Sequence, residues 1–327
     1  MTTMITLKEK IGYGLGDMAS SMFWKLFGSY LMIFYTDVFG LPAAVVGTMF
    51  LITRVWDSAF DPIVGVIADR TQTRWGKFRP YLLYLAVPFA LIGIFTFTTP
   101  QLSDTGKLVY AYITYSLMMM VYSAINVPYA SLLGVMSPDP KERNTLSTYR
   151  MTFAYIGSFI ALLLFMPMVN LFGGAEDKRR GWMLSVVVIA VMCAVLFYLC
   201  FALTRERVKP IREVQGSLKD DLRDLLHNRP WWILLGAGVA ALVFNSIRDG
   251  ATVYYFVLSG LYLAVGQAAN IVGVILAAPV SNRIGKKNTY MGAMSLATIL
   301  SVIFYWFGKG DIALIFVFQV LISICAG

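Results

Sequence analysis

Charge is scarce in this sequence. Only 14% of its 327 residues are Asp, Glu, Lys or Arg, against about 25% in an ordinary soluble domain. Hydrophobic residues make up 58%, and the mean hydropathy is +0.69. A water-soluble fold has too little interior for so many apolar side chains. A bilayer accepts them on the outside as well. Cysteine is almost missing too. Cys193, Cys200 and Cys325 lie in apolar runs with no metal-ligand spacing, so they read as inert core thiols. The one histidine, His227, sits in a polar stretch beside Asn228 and Arg229 and reads as solvated. A cleavable signal peptide is not expected, because the first apolar run is too long and lacks a small-residue cleavage site. The net charge of +9 would raise nucleic-acid binding on a soluble protein. Here the charges fall in loops, so they report membrane orientation and no nucleic-acid partner.

Crossing a bilayer takes about 20 apolar residues in a helix. Such runs recur at 11–36, 44–69, 79–99, 108–136, 141–172, 182–203, 230–258, 261–281, 288–307 and 311–327. The chain therefore reads as an all-α polytopic membrane protein of about ten spans. With the N-terminus in the cytoplasm, eighteen Lys and Arg fall in inner segments and five in outer loops. That asymmetry fixes the expected orientation. Residues 1–204 form an expected six-helix bundle, 205–229 a cytoplasmic linker, and 230–327 an incomplete second bundle. In the linker Leu218, Leu222, Leu225 and Leu226 recur at helical spacing among charges, which predicts an amphipathic surface helix. Trp231 and Trp232 mark the interface where the seventh span begins.

Two loops repeat a pattern. Asp69-Arg70 is followed by Arg74-Trp75-Gly76-Lys77-Phe78-Arg79 after span two, and Asn282-Arg283-Ile284-Gly285-Lys286-Lys287 follows span eight. Each gives Arg, Gly and basic residues at the inner end of the second helix of a bundle, which predicts two related halves. Glycine permits a tight turn there, and the basic residues can pair with Asp69 and with helix C-termini. On this count the second half lacks two spans, and Ser259-Gly260 is a very short loop. The chain reads as a truncated copy of a twelve-span protein.

A charge at mid-membrane costs about 2.5–3.5 kcal/mol, so each one is a functional candidate. Span two holds Arg54, Asp57 and Asp61 on one helical face. The carboxylates are separated by about 6 Å along the axis. They can converge on a small hard cation such as Na⁺, or share a proton. The bland alternative is a static Arg54–Asp57 pair. Span one carries Asp17, Ser21 and Lys25 at steps of four beside Trp24, and span four carries Tyr122, Ser123, Asn126 and Tyr129. Span five opens with Asp139 as N-cap and Pro140 at the first helical position. Arg150 then lies about 15 Å deep, in the layer of Asn126. Hydroxyls, an amide, an arginine and flat rings are what a sugar requires; interhelical hydrogen bonding is the alternative. Arg248 and Asp249 in span seven point about 100° apart, as a gate or an inter-bundle contact.

The runs Tyr13-Gly14-Leu15-Gly16-Asp17, Phe34-Tyr35-Thr36-Asp37-Val38-Phe39-Gly40, Arg54 to Pro62, Arg74 to Pro80 and Asn126-Val127-Pro128-Tyr129 resemble the glycoside–pentoside–hexuronide:cation symporter family, the relatives of melibiose permease. The resemblance covers essentially the whole chain. It implies the major facilitator fold, alternating access between two bundles, a monomer, and a bacterial inner-membrane location. It also implies cation-site roles for Asp57 and Asp61, with Asn126 and Ser123 beside them. A sugar site would then draw on Asp17, Ser21, Lys25, Tyr122, Asn126, Tyr129 and Arg150. Gating or structural roles would fall to Arg54, Asp69, Arg70, Gly76, Arg79, Arg248, Asp249, Arg283 and Gly285. Ser21, Asn126 and Ala130 stand where melibiose permease has two aspartates and a tryptophan, which weighs against a galactoside.

The expected function is symport of a glycoside, pentoside or hexuronide with Na⁺ or H⁺, with no cofactor and no enzymatic reaction. Two rivals use the same residues. A lipid or lysolipid carrier would share the fold. An intramembrane prenyltransferase would read Asp57-Ser-Ala-Phe-Asp61 as a magnesium–diphosphate motif, but a second aspartate-rich motif is missing.

Overall fold

A computed structural model describes residues 5–174, 177–208, 224, 226–255, 259–307 and 312–326. They form ten long helices: α1 (Leu7–Leu26), α2 (Ala43–Arg70), α3 (Arg79–Thr96), α4 (Asp104–Met136), α5 (Pro140–Gly173), α6 (Lys178–Leu203), α7 (Arg229–Tyr255), α8 (Ser259–Ile284), α9 (Lys286–Phe307) and α10 (Ile312–Ala326). Each falls on one of the ten apolar runs. Six helical segments (in α2–α6 and α8) are long and apolar enough to cross a membrane by length and composition. α1 continues through two π-helical turns, Phe27–Leu31 and Phe34–Val38, so the first span is one rod with a widened C-terminal half.

Local chemistry sets the helix starts. Thr6 and Glu9 form a reciprocal capping box on α1. Ser103 caps α4 through the Gly106 amide. Asp139 caps α5 through the Lys141 amide at 3.0 Å, with Pro140 at the first position, as the sequence predicts. Ser259 and Gly260 are not the expected loop: they are the first residues of α8. The first turn of a helix needs no intrahelical donor partners, so polar or flexible residues are tolerated there. The linker helix expected around Leu218–Leu226 lies almost wholly outside the described residues.

α1 is the centre of the first six helices, packed on both α5 and α6, while α3 packs on α4 and α6, and α2 on α4. Gly157 of α5 lies directly against the backbone of Met18 in α1, which lets the two helices approach closely. The core of this bundle is aromatic. Phe34, Phe97, Phe165 and Trp182 interlock, with ring centroids 5.0 to 6.4 Å apart. In the second half α8 packs on α10 and α10 on α9, and α8 also lies along α5. The α8–α10 pairing mirrors α2–α4.

The two repeated loops share a backbone feature. Gly76 and Gly285 both adopt left-handed φ, +112° and +84°, which disfavours any residue with a Cβ.

Candidate functional site

α2 carries the two carboxylates that the sequence marks as candidates for a cation. Asp57 is half-buried, and its Oδ1 accepts a hydrogen bond from the Ser123 hydroxyl of α4 at 3.0 Å. Ser123 is buried, so this contact is a fixed point between two helices. Asp61 lies one turn further along the same helix and is exposed. Pro62 sits inside α2. Lacking an N–H, it leaves the Ser58 carbonyl without its intrahelical donor. Two carboxylates one turn apart and one carbonyl without its helical donor are oxygen ligands of the kind a hard monovalent ion takes.

Arg54 does not form the static pair with Asp57. Its guanidinium lies over the Trp24 ring at 4.6 Å, and Trp24 stacks in turn near Tyr122 at 5.2 Å. Spans one, two and four therefore meet in a cation–aromatic column.

A second cluster joins spans one, four and five. Arg150 Nε donates to Asp17 Oδ2 at 2.9 Å, and its guanidinium lies 5.3 Å from the centre of the Tyr129 ring. Tyr129 stacks on Tyr13 at 4.9 Å and donates its hydroxyl to the Tyr13 carbonyl. Asp17 is only 8% exposed, so the pair is a neutralised element of the bundle wall. Tyr13 is fully buried in that wall.

Not every candidate joins these clusters. The Asn126 amide donates to the Tyr122 carbonyl of its own helix at 2.9 Å. Ser21 and Lys25 are half-exposed on α1. Arg248 and Asp249 lie on α7, but their side chains fall outside the described residues. Arg70 and Arg283 are exposed at the ends of α2 and α8. A cavity of about 620 Å³ opens elsewhere, between α5, α8, α9 and α10, beside Asn144, Thr148, Leu276 and Met294.

The end of the first bundle where α2 meets α3 is tied by residues that spacing did not reveal. Lys77 pairs with Asp69 at 3.1 Å, as expected. Glu206 was not anticipated. Its carboxylate accepts the backbone N–H groups of Lys77, Phe78 and Arg79 at 2.8, 2.8 and 3.0 Å. A Cβ on Gly76 would strike that carboxylate. Arg79 donates to the carbonyls of Trp75 and Phe201. Arg207 pairs with Glu9 at 2.6 Å, and the Arg207 and Val208 amides both donate to the Val135 carbonyl. Glu142 accepts from the Ile5 amide and the Ser137 hydroxyl. The only signal available was a glutamate between two arginines, Arg205-Glu206-Arg207; its partners lie more than 120 residues away. Burial pushes the Glu9 carboxyl up, but hydrogen bonds from Arg207 and Thr6 outweigh it and hold the group below the ordinary 4.5.

Residues 12–327 match the sequence family described as MFS/sugar transport protein. The chain belongs to that family. Among its relatives is the "Inner membrane symporter YicJ" of Escherichia coli (strain K12), 36% identical over 98% of this chain and 71% of that protein. The "Putative glycoside/cation symporter YagG" of the same organism has the same identity and shares of both chains. The "Isoprimeverose transporter" of Lactiplantibacillus pentosus is 37% identical over 94% of this chain and 65% of its own. These relatives bear out the resemblance to the glycoside–pentoside–hexuronide:cation symporters. The fold is that of the inward-open xylose transporter XylE, with a TM-score of 0.61 at 14% identity over 98% of this chain and 79% of that one. The nucleoside transporter NupG gives 0.57 at 15% identity over 97% and 79%. This MFS/sugar transport protein is a multi-pass membrane transporter. The family is not one of enzymes, so the prenyltransferase reading falls, and the lipid-carrier reading is not favoured.

Proposed function

We propose that this protein carries a glycoside, pentoside or hexuronide across a bacterial inner membrane together with Na⁺ or H⁺, as a monomer with its N-terminus in the cytoplasm. The observation that carries this reading is the placement of Asp57. It is half-buried, anchored by Ser123, one turn from Asp61 and next to Ser58, whose carbonyl Pro62 leaves without its helical donor. The printed names of the relatives, a glycoside/cation symporter and an isoprimeverose transporter, point the same way. The excess of Lys and Arg in the inner segments supports the orientation.

The ion binds first at Asp57 and Asp61. It neutralises a negatively charged turn and draws α2 and α4 into one arrangement. The sugar then binds beside that turn, against Trp24, Tyr122, Asn126 and the Asp17–Arg150 wall, with Ser21 and Lys25 at its margin. Coupling is the free energy the two ligands share, and it is reciprocal. Binding of a panel of labelled glycosides, with NaCl against choline chloride and across a range of pH, tests this. The expected outcome is tighter binding of at least one glycoside with Na⁺ or at lower pH. Equal binding under all conditions refutes coupling.

A further inference from the structure

The second half contains a polar cluster to which transport has so far assigned nothing. Gln267 and Asn270 of α8 are each 5% exposed, and Gln319 and Ser323 of α10 are 1% and 0% exposed. Gln319 and Ser323 are separated by one turn, and both lie against Gly266 of α8. Asn270 follows Gly266 by one turn on the same face, about 6 Å along the axis. Three buried oxygens in this seam have no hydrogen-bond partner: Asn270 Oδ1, Gln319 Oε1 and Ser323 Oγ. An unsatisfied buried polar group is destabilising, so three in one seam favour a small polar ligand.

The internal repeat gives the cluster its meaning. Aligning Asp69-Arg70 with Asn282-Arg283 sets Gln267 opposite Arg54, Asn270 opposite Asp57 and Val274 opposite Asp61. The helix pairs correspond as well. α10 brings Gln319 and Ser323 to α8 as α4 brings Ser123 to α2. At these three positions the first half has a charge and the second a neutral residue.

We propose that the α8–α10 seam binds one water molecule between Asn270, Gln319 and Ser323, and that it is an electrically silent counterpart of the cation site. Water fits the donor count. Its two hydrogens serve the two amide oxygens, and its oxygen accepts from the Ser323 hydroxyl. A cation does not fit. Three neutral oxygens would hold a buried unit charge with no carboxylate to offset its desolvation. The inference rests on the proposed function for the role of Asp57, and on the geometry of the seam for the water.

X-ray radiolytic labelling of the purified protein tests it, because a bound water generates hydroxyl radical in place. Tyr262 and Phe316 face each other in the seam with ring centroids 5.5 Å apart, and Tyr262 and Ile322 are buried. These side chains are expected to be labelled despite burial, and to lose labelling in Gln319→Leu. Asn270→Leu supplies the same loss where Gln319→Leu does not fold. Absence of labelling in the wild-type seam overturns the proposal. So does suppression of that labelling by Na⁺, but not choline, in an Asp57→Asn background, because an ion would then be displacing the water. Neither readout depends on transport, so failure of the coupling reading is scored separately.

Discussion

Glu206→Ala should loosen the tied end of the first bundle. The Glu206 carboxylate accepts three consecutive backbone N–H groups at the start of α3, at 2.8 to 3.0 Å. Hydrogen bonds to a charged group contribute about 1.5–3 kcal/mol each when well shielded. This loop is part-buried, and water can partly replace the lost acceptor, so about 1 kcal/mol per bond is the reasonable scale. The sum is about 3 kcal/mol. For a long chain, 1 kcal/mol moves the melting temperature by about 2 °C, which gives a loss of roughly 6 °C. Glu206→Gln keeps one acceptor oxygen and should lose about half as much. The assay is thermal unfolding of purified protein in detergent, followed by the fluorescence of a thiol probe on buried Cys193 and Cys200. A shift below about 1 °C for Glu206→Ala would refute the view that this carboxylate holds the loop.

Gly157→Ala should destabilise by about 1–3 kcal/mol, because the new methyl meets the Met18 backbone carbonyl, which cannot move aside cheaply; a melting curve within 1 °C of wild type contradicts this. The Glu9–Arg207 pair predicts an acid-sensitive component of stability. Since the folded Glu9 carboxyl is held below 4.5, its contribution is full above that value and is lost as pH falls through the folded value. The melting temperature should therefore drop more steeply below about pH 4.5 in wild type than in Glu9→Gln, and parallel curves contradict it. Asp17→Asn leaves Arg150 without its counter-charge in a buried wall, so Asp17→Asn and Arg150→Gln should be non-additive by at least about 1 kcal/mol in a double-mutant cycle; additive losses would show that the pair is not coupled.

The ten helices were legible because lipid demands long apolar runs, and nothing else in the composition competes with that signal. Caps such as Asp139-Pro140 were legible because their partners lie within two residues. The Asp57–Ser123 contact was half legible: the sequence marked both residues, but only packing sets them 3.0 Å apart. The static Arg54–Asp57 pair, the bland alternative that helical spacing left open, does not form, and the ring under Arg54 is Trp24 from another helix. Glu206 and Arg207 were not legible at all. Their partners are the loop before α3 and Glu9, and a contact at such separation has no local periodicity. The neutral counterpart of α2 in α8 could be seen only after the repeat was given a register and the burial of Asn270, Gln319 and Ser323 was known.

Equilibrium binding of labelled glycoside against Na⁺ or proton concentration, in wild type and Asp57→Asn, bears most directly on the coupling. Two unit charges 4 Å apart interact by about 4 kcal/mol near a protein surface, so removing one carboxylate should weaken ion binding by at least about a hundredfold. The wild type should bind sugar more tightly as the ion is added, and Asp57→Asn should bind it weakly and without response to the ion. Undiminished stimulation in Asp57→Asn would contradict the assignment of the coupling ion to α2.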